Sequence, residues 1–212
     1  MDTQPTDLAG LAGYLRRTQG AARRIVAIAG PPGAGKSTFV EPLCAQLNGD
    51  AHGFAHLLAM DGFHYDDRVL DARGWRARKG APHTFDVGGL AAMLDRLRAD
   101  DGSEIAVPVF DRSIEIARAG ADIVPASARL IVVEGNYLLL DDPAWAPLRA
   151  RFDVTVMLDV PRDVLVERLT ARWRGYGMDG AALREKMEGN DLPNVDLVLS
   201  HCVPADFRAR NF

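Results

Sequence analysis

Residues Gly30 to Thr38 read GPPGAGKST, and their types and spacing suit one kind of chemistry. Gly30, Gly35, Lys36 and Ser37 fit G-x-x-x-x-G-K-[ST], a loop that holds phosphate groups. Several donors must converge on a polyphosphate, and backbone N–H groups converge only where the chain turns tightly, which glycine permits. A following helix would add its free N–H groups and the positive end of its dipole. Lysine occurs only at Lys36, Lys79 and Lys186, so its place here matters. Lys36 supplies a flexible positive charge for the β- and γ-phosphates, and the Ser37 hydroxyl is a ligand for Mg²⁺. Gly30, Pro31, Pro32, Gly33, Ala34, Gly35, Lys36, Ser37 and Thr38 are the expected contacts of a bound nucleoside triphosphate.

Two acidic residues close apolar runs elsewhere. Asp61 follows HLLAM and Glu134 follows LIVV. Beside a nucleotide with its Mg²⁺, phosphoryl transfer needs charge neutralisation and a base to align an acceptor hydroxyl. Asp61 is the expected base and also a candidate metal ligand. Glu134 is the expected partner of the Mg²⁺ shell with Ser37. The bland alternative for Asp61 is a turn residue in Asp-Gly. Arg168, Arg172 and Arg174 lie in VERLTARWRGYG, where Arg168 and Arg172, four apart, share a helix face. They form an expected lid over 168–180, with Arg168 on the nucleotide and Arg172 on the moving phosphoryl group. Between 62 and 85, His64, Tyr65, Trp75, His83 and Phe85 offer rings, and Arg78 and Lys79 offer charge. That stretch is the expected acceptor site. Asp86 beyond it is a candidate ligand, or else a helix cap.

These residues need a frame. Ile25–Ala29 is a β-prone run before the loop, and Lys36–Leu47 reads as a helix with Phe39, Leu43 and Leu47 on one face. Pro42 falls inside it and predicts a kink rather than a break. An amphipathic helix capped by Thr6 or Asp7 opens the chain, and 87–98, with Leu90, Met93, Leu94 and Leu97 on one face, and Pro161–Trp173 read as further helices, the last begun by its proline. A helix follows from Ala181 to about Glu188. Runs at 56–61, 105–111, 129–135, 153–160 and Val195–Ser200 read as strands, and the residues after Asp111 as a hairpin or loop. Alternating helices and near-continuous apolar strands predict an α/β fold with a mostly parallel sheet covered on both faces. Ligands of such sheets sit beyond the C-terminal strand ends. The segment Asn190–Pro204 is the expected neighbour of the adenine, with no residue assigned.

The chain has 212 residues, a net charge of −4 and 48% hydrophobic residues. One domain over 1–212 with a full core is expected. The acidic balance argues against a general nucleic-acid binder. No stretch approaches the roughly 18 apolar residues of a membrane span. The N-terminal stretch lacks the apolar segment of an export signal, so a cytoplasmic location is expected. Cys44 and Cys202 form no metal or redox motif and read as reduced residues. A homodimer is left open.

MDGFHYDD, RKGAPHTFD, VPVFDRS and IVVEGNYLLL, in that order behind GPPGAGKST, resemble the P-loop kinases that include uridine kinase, phosphoribulokinase and bacterial pantothenate kinase. Small bacterial kinase-like proteins, some labelled as fructose-transport-system kinases, are the nearest in feel. The resemblance spans roughly 24–200 and implies the three-layer P-loop NTPase fold with ATP as donor. It implies that Asp61 is the base and that Glu134 lies near the metal. It also implies that Arg78, Lys79, Phe85 and Asp86 border the acceptor, and that Arg168, Arg172 and Arg174 serve the lid. Uridine kinases usually carry D-S-F-Y where this chain has Asp61-Gly62-Phe63-His64. The R-K-G-x-P segment leans toward pantothenate kinase.

Three functions follow. The first is transfer of the γ-phosphate of ATP to a hydroxyl of a nucleoside, sugar or pantothenate-like metabolite. The second is a nucleoside monophosphate kinase, for which Arg73, Arg76 and Arg78 would bind the acceptor's phosphate. The third is a nucleotide-binding switch or transport accessory without an acceptor. The chain lacks the N-K-x-D guanine motif of a GTPase and the L-S-G-G signature of a transporter ATPase.

Overall fold

The computed structural model of the protein describes residues 3–49 and 53–211. Its strands are β1 (Gln4–Thr6), β2 (Arg24–Ala29), β3 (Ala55–Ala59), β4 (Ile105–Asp111), β5 (Ile116–Val124), β6 (Leu130–Gly135), β7 (Val154–Asp159) and β8 (Phe207–Arg210). Six of them form one parallel sheet in the order β1-β8-β7-β2-β6-β3, and β4 and β5 pair as an antiparallel hairpin. The helices are α1 (Leu8–Arg17), α2 (Lys36–Asn48), α3 (Asp67–Ala72), α4 (Val87–Ala99), α5 (Arg162–Gly175), α6 (Gly180–Lys186) and α7 (Leu192–His201).

Continuous apolar strands follow from burial on both faces. In β2, Ile25, Ala27 and Ala29 enter one core while Val26 and Ile28 enter the other. Leu90, Leu94 and Leu97 of α4 cover the first face. Leu11 and Leu15 of α1, Leu43 and Leu47 of α2, and Leu165 and Leu169 of α5 cover the second. The three-layer α/β expectation holds. Met93, expected on the buried stripe of α4, only packs against its edge.

Asp7 caps α1 by accepting from the Gly10 N–H at 2.7 Å, as expected. Helix α2 runs unbroken through Pro42. Pro42 is exposed, so the carbonyl it leaves unbonded can meet water.

One element is corrected. The run Val195–Ser200, read as the last strand, lies inside α7. Its buried Val195 and Val198 are three apart, a helical spacing, and Pro193 sits in the first turn. The last strand is β8, where FRAR alternates buried and exposed residues. β1 and β8, too short to stand out in the sequence, pair with each other. Among the described residues no helix is long and apolar enough to cross a membrane. Cys44 and Cys202 are free thiols, and burial pushes each up to about 11, which keeps them unreactive.

Candidate active site

The phosphate loop leaves the C-terminal end of β2, with β6 on one side and β7 on the other. Gly35 caps α2 at φ 78°, in the left-handed region, and no side chain bonds the helix start. The first-turn N–H groups are thereby left for an outside acceptor. Lys36 Nζ donates to the carbonyls of Gly30 at 3.0 Å and Pro31 at 3.2 Å, and to Asn136 Oδ1 at 2.5 Å. These oxygens stand in for the anionic oxygens a polyphosphate would offer. Burial lowers the pKa of Lys36, while the charges of Glu134 and Asp61 oppose that shift. Ser37 and Thr38 are exposed at the start of α2.

Glu134 lies in register with Ile28 of β2 and Ala59 of β3, so the sheet itself places it beside the loop. It is 8% exposed. Burial raises its pKa, Lys36 lowers it and Asp61 raises it, with no hydrogen bond contributing. Asp61 stands two residues past β3, in the 3₁₀ turn Met60–Phe63. Its Oδ2 accepts from Arg112 Nη2 at 2.8 Å. Gly62 lets the hairpin close on this turn. A Cβ there would lie 2.5 Å from the Pro108 carbonyl oxygen, so this backbone has no room for serine.

His64 bonds the Asp61 carbonyl through Nδ1 at 2.9 Å. Its ring packs on Phe85 at 4.0 Å and on Phe110 at 4.7 Å. Burial, foremost, lowers its pKa. Lys79 bonds Asp67 Oδ1 at 2.7 Å and the Glu115 carbonyl at 2.6 Å. Arg78 holds the Gly189 carbonyl at 2.5 Å and Asn194 Oδ1 at 3.1 Å. Asp86 is exposed and caps α4, accepting from the Gly89 N–H at 2.9 Å.

The stretch 62–85 is more regular than its sequence suggests: α3 and the 3₁₀ turns Arg76–Arg78 and Pro82–Thr84 fold it. Of the arginines weighed for a second phosphate, Arg73 lies over the Tyr65 and Trp75 rings. Arg76 pairs with Asp67 at 2.6 Å. A cavity of about 540 Å³ opens beside them, lined by Tyr65, Trp75, His83, Phe85 and Trp145 among others. It contains none of Lys36, Asp61 or Glu134, so the chemistry is placed by the charged cluster and not by this cavity.

Residues 168–175 belong to α5, and α6 begins at Gly180. Arg168 reaches the Gly33 carbonyl at 3.4 Å and the Asn211 carbonyl at 2.8 Å. Arg172 and Arg174 are both exposed, and of the two only the charge of Arg172 is felt at Lys36. Asn190 and Asn194, in the stretch expected beside the adenine, pack against residues 78–79: Asn190 Nδ2 bonds the Lys79 carbonyl at 3.0 Å and Asn194 Oδ1 accepts from Arg78 at 3.1 Å. Asn211 is the residue on the loop, bonding the carbonyls of Ala34 at 2.7 Å and Gly35 at 3.2 Å.

Sequence reasoning missed Asn136, Arg112 and Asn211. The first two stand inside motifs that were noticed, EGNY and FDRS, but only contact with Lys36 and Asp61 gives them a part. Asn211 left no local signal.

The residues fit Mg-ATP. The helix start is uncapped, Lys36 is held by oxygens, and the mostly buried Glu134 carboxylate meets no hydrogen-bond donor among the described residues. Among the described residues no group of three or more His, Cys, Asp or Glu could hold a metal. Mg²⁺ at such sites takes one or two carboxylates and completes its shell with phosphates and water.

A parallel sheet carrying this loop at its centre defines a P-loop nucleotide-binding protein. The chain belongs to the phosphoribulokinase/uridine kinase family, whose sequence model matches residues 25–188. It is 37% identical over 180 residues to "Uncharacterized protein YggC" of Escherichia coli K12, covering 84% of this chain and 73% of that one. It is 30% identical to "Putative uridine kinase C227.14" of Schizosaccharomyces pombe, covering 87% and 81%. A crystal structure described as a "putative fructose transport system kinase" from Silicibacter sp. TM1040 superposes with a TM-score of 0.87 at 41% identity, covering 96% and 98%. The chain is therefore a kinase, and its family implies ATP as donor and a small-molecule substrate.

Proposed function

We propose that the protein transfers the γ-phosphate of ATP to a hydroxyl of a small metabolite, with Asp61 as base. One observation carries the reading: the register of β2, β6 and β3 sets Glu134 between Ile28 and Ala59, with Asp61 two residues past Ala59, and Lys36 Nζ bonds Asn136 Oδ1 two residues past Glu134. The phosphate-holding residue and the proposed base thus belong to one cluster. Mg-ATP supplies the phosphoryl group and a cation that offsets its charge. Lys36 gives its donors to phosphate oxygens, beside the loop residues 30–38, and Ser37 and Glu134 serve the metal ion, with Asp61 next to them. The acceptor O–H bond breaks as its oxygen bonds phosphorus, the proton passes to Asp61 Oδ1, and the bond to the ADP oxygen breaks. Arg172 offsets charge on the moving group. His64, Tyr65, Phe85, Arg78 and Lys79 shape the acceptor side of 62–85, and the end of α5 through 180 acts as lid.

Release of ADP from Mg-ATP across nucleosides, monophosphates, sugars and pantothenate tests this. One compound should stimulate release, and Asp61→Asn should abolish the stimulation while ATP still binds. Turnover that no compound stimulates, unchanged in Asp61→Asn, would remove Asp61 as base and favour a switch without an acceptor. The monophosphate kinase reading has less support, because Arg73, Arg76 and Arg78 are each engaged within the chain.

A further inference from the structure

Arg112 has more bonding capacity than it uses. A guanidinium is a planar fork of five N–H donors. Only its Nη2 is engaged, by Asp61 Oδ2 at 2.8 Å, among the described residues. Its side chain is 64% exposed and that of Asp61 25%, so both face the open side of the cluster. Asp61 Oδ1 is also left over, with His64 Nδ1 4.0 Å away.

The neighbouring cation is differently placed. Lys79 and Arg112 lie over the same Phe110 ring, 5.4 and 6.0 Å from its centre. Lys79 is nearly enclosed and already bonds Asp67. Arg112 has no carboxylate but the one that the reaction protonates. When the proton reaches Asp61, the Arg112 charge loses its partner.

We propose that Arg112 reads an anionic group on the acceptor, which is thus a small compound bearing a carboxylate or phosphate close to its reacting hydroxyl. The inference rests on the kinase reading above. The hydroxyl meets Asp61 Oδ1 and the anion meets the free N–H groups of Arg112, a pairing suited to a planar fork. The anion keeps Arg112 paired as Asp61 takes its proton. Since Arg112 and Asp61 are in direct contact, the two groups on the ligand are separated by few bonds. A neutral acceptor offers the fork only weaker hydrogen bonds and no opposite charge.

Matched pairs test this: glycerol with glycerate, and ribose with ribose 5-phosphate, each with Mg-ATP. Only anionic members should stimulate ADP release, and the carboxylate and phosphate arms tell the two anions apart. Arg112→Ala should raise the acceptor KM at least tenfold with little change in the KM for ATP, and Arg112→Lys should recover part of it. Arg118→Ala, which removes another exposed hairpin cation, should match wild type. Equal stimulation by a neutral member, or an acceptor KM indifferent to Arg112→Ala, overturns the proposal and leaves the kinase reading standing. If nothing stimulates, the same anions are titrated calorimetrically onto protein loaded with Mg-AMP-PNP. Binding lost in Arg112→Ala then upholds Arg112 as the anion-reading group while transfer to that compound fails, and no binding overturns it.

Discussion

On the phosphate side, the consecutive residues Gly30 to Thr38 carry the loop, and the sheet holds it at the end of β2. On the proposed acceptor side, Asp61 comes from a 3₁₀ turn, Arg112 from the hairpin, and Lys79 from the segment before α4. The first side is local in sequence because its work is done by backbone N–H groups, whose positions follow from a few dihedral angles. The second is assembled from distant side chains, because a particular acceptor must be met by particular groups. A family can therefore keep the first while its members change the second.

The sharpest way to break this contrast is to strike its two sides in turn. Lys36→Met keeps the length of the side chain and removes the charge. It should cut phosphoryl transfer by about 10²–10³-fold with every acceptor, measured as ADP release at saturating ATP. Arg112→Ala should instead act on the acceptor alone. If Lys36→Met altered the preference among acceptors, the two sides would not be separable.

Gly62 probes how the sides are joined. Gly62→Ala puts a methyl group 2.5 Å from the Pro108 carbonyl oxygen, which is backbone and cannot turn aside. Such overpacking costs about 1–3 kcal/mol, and the hairpin must shift away from Asp61. Thermal unfolding should show a loss of roughly 2–4 °C per kcal/mol, and acceptor-dependent turnover should fall further than stability does. Gly74→Ala is the comparison: its φ is +68° but nothing lies within 4 Å. It should cost about 1 kcal/mol of backbone strain and leave turnover alone. Equal effects at the two glycines would mean that Pro108 yields.

The same contrast explains what could be read from the sequence. The loop, Glu134 at the end of β6 and the stripes of α2 and α4 are periodic or contiguous signals, and all appear in the fold. The Val195–Ser200 run misled because a short apolar run serves strand and buried helix alike. Its two buried residues, Val195 and Val198, are too few to decide the period. β1 and β8 stand only by pairing with each other at the sheet edge. Arg112 and Asn211 act across distances of 51 and 176 residues in sequence, and no local pattern carries such a contact.

His64 gives a pH handle on the acceptor side. Its pKa in the folded protein lies below its ordinary value near 6.5, chiefly through burial. Between those two values the unfolded chain binds the extra proton and the folded one does not. Stability therefore rises with pH through this window and is lost as pH falls below about 6.5. Denaturant midpoints between pH 5 and 7.5 should show that slope, and His64→Phe should flatten it. An unchanged slope in His64→Phe would assign it to another group, with His83 next because its pKa is lowered in the same direction.

Asp86 gives the smallest effect and separates its two roles. As the cap of α4 it accepts from the Gly89 N–H, and Asp86→Ala should cost about 1 kcal/mol. Asn caps a helix about as well as Asp, so Asp86→Asn should restore the melting temperature while removing the charge. If the cap is the whole role, Asp86→Asn should also restore acceptor-dependent turnover. If the carboxylate also meets the acceptor, Asp86→Asn keeps the stability but raises the acceptor KM. A cap is satisfied by any short side-chain oxygen, whereas an acceptor's hydroxyl distinguishes a carboxylate from an amide. The split between melting temperature and KM then reads the two roles independently.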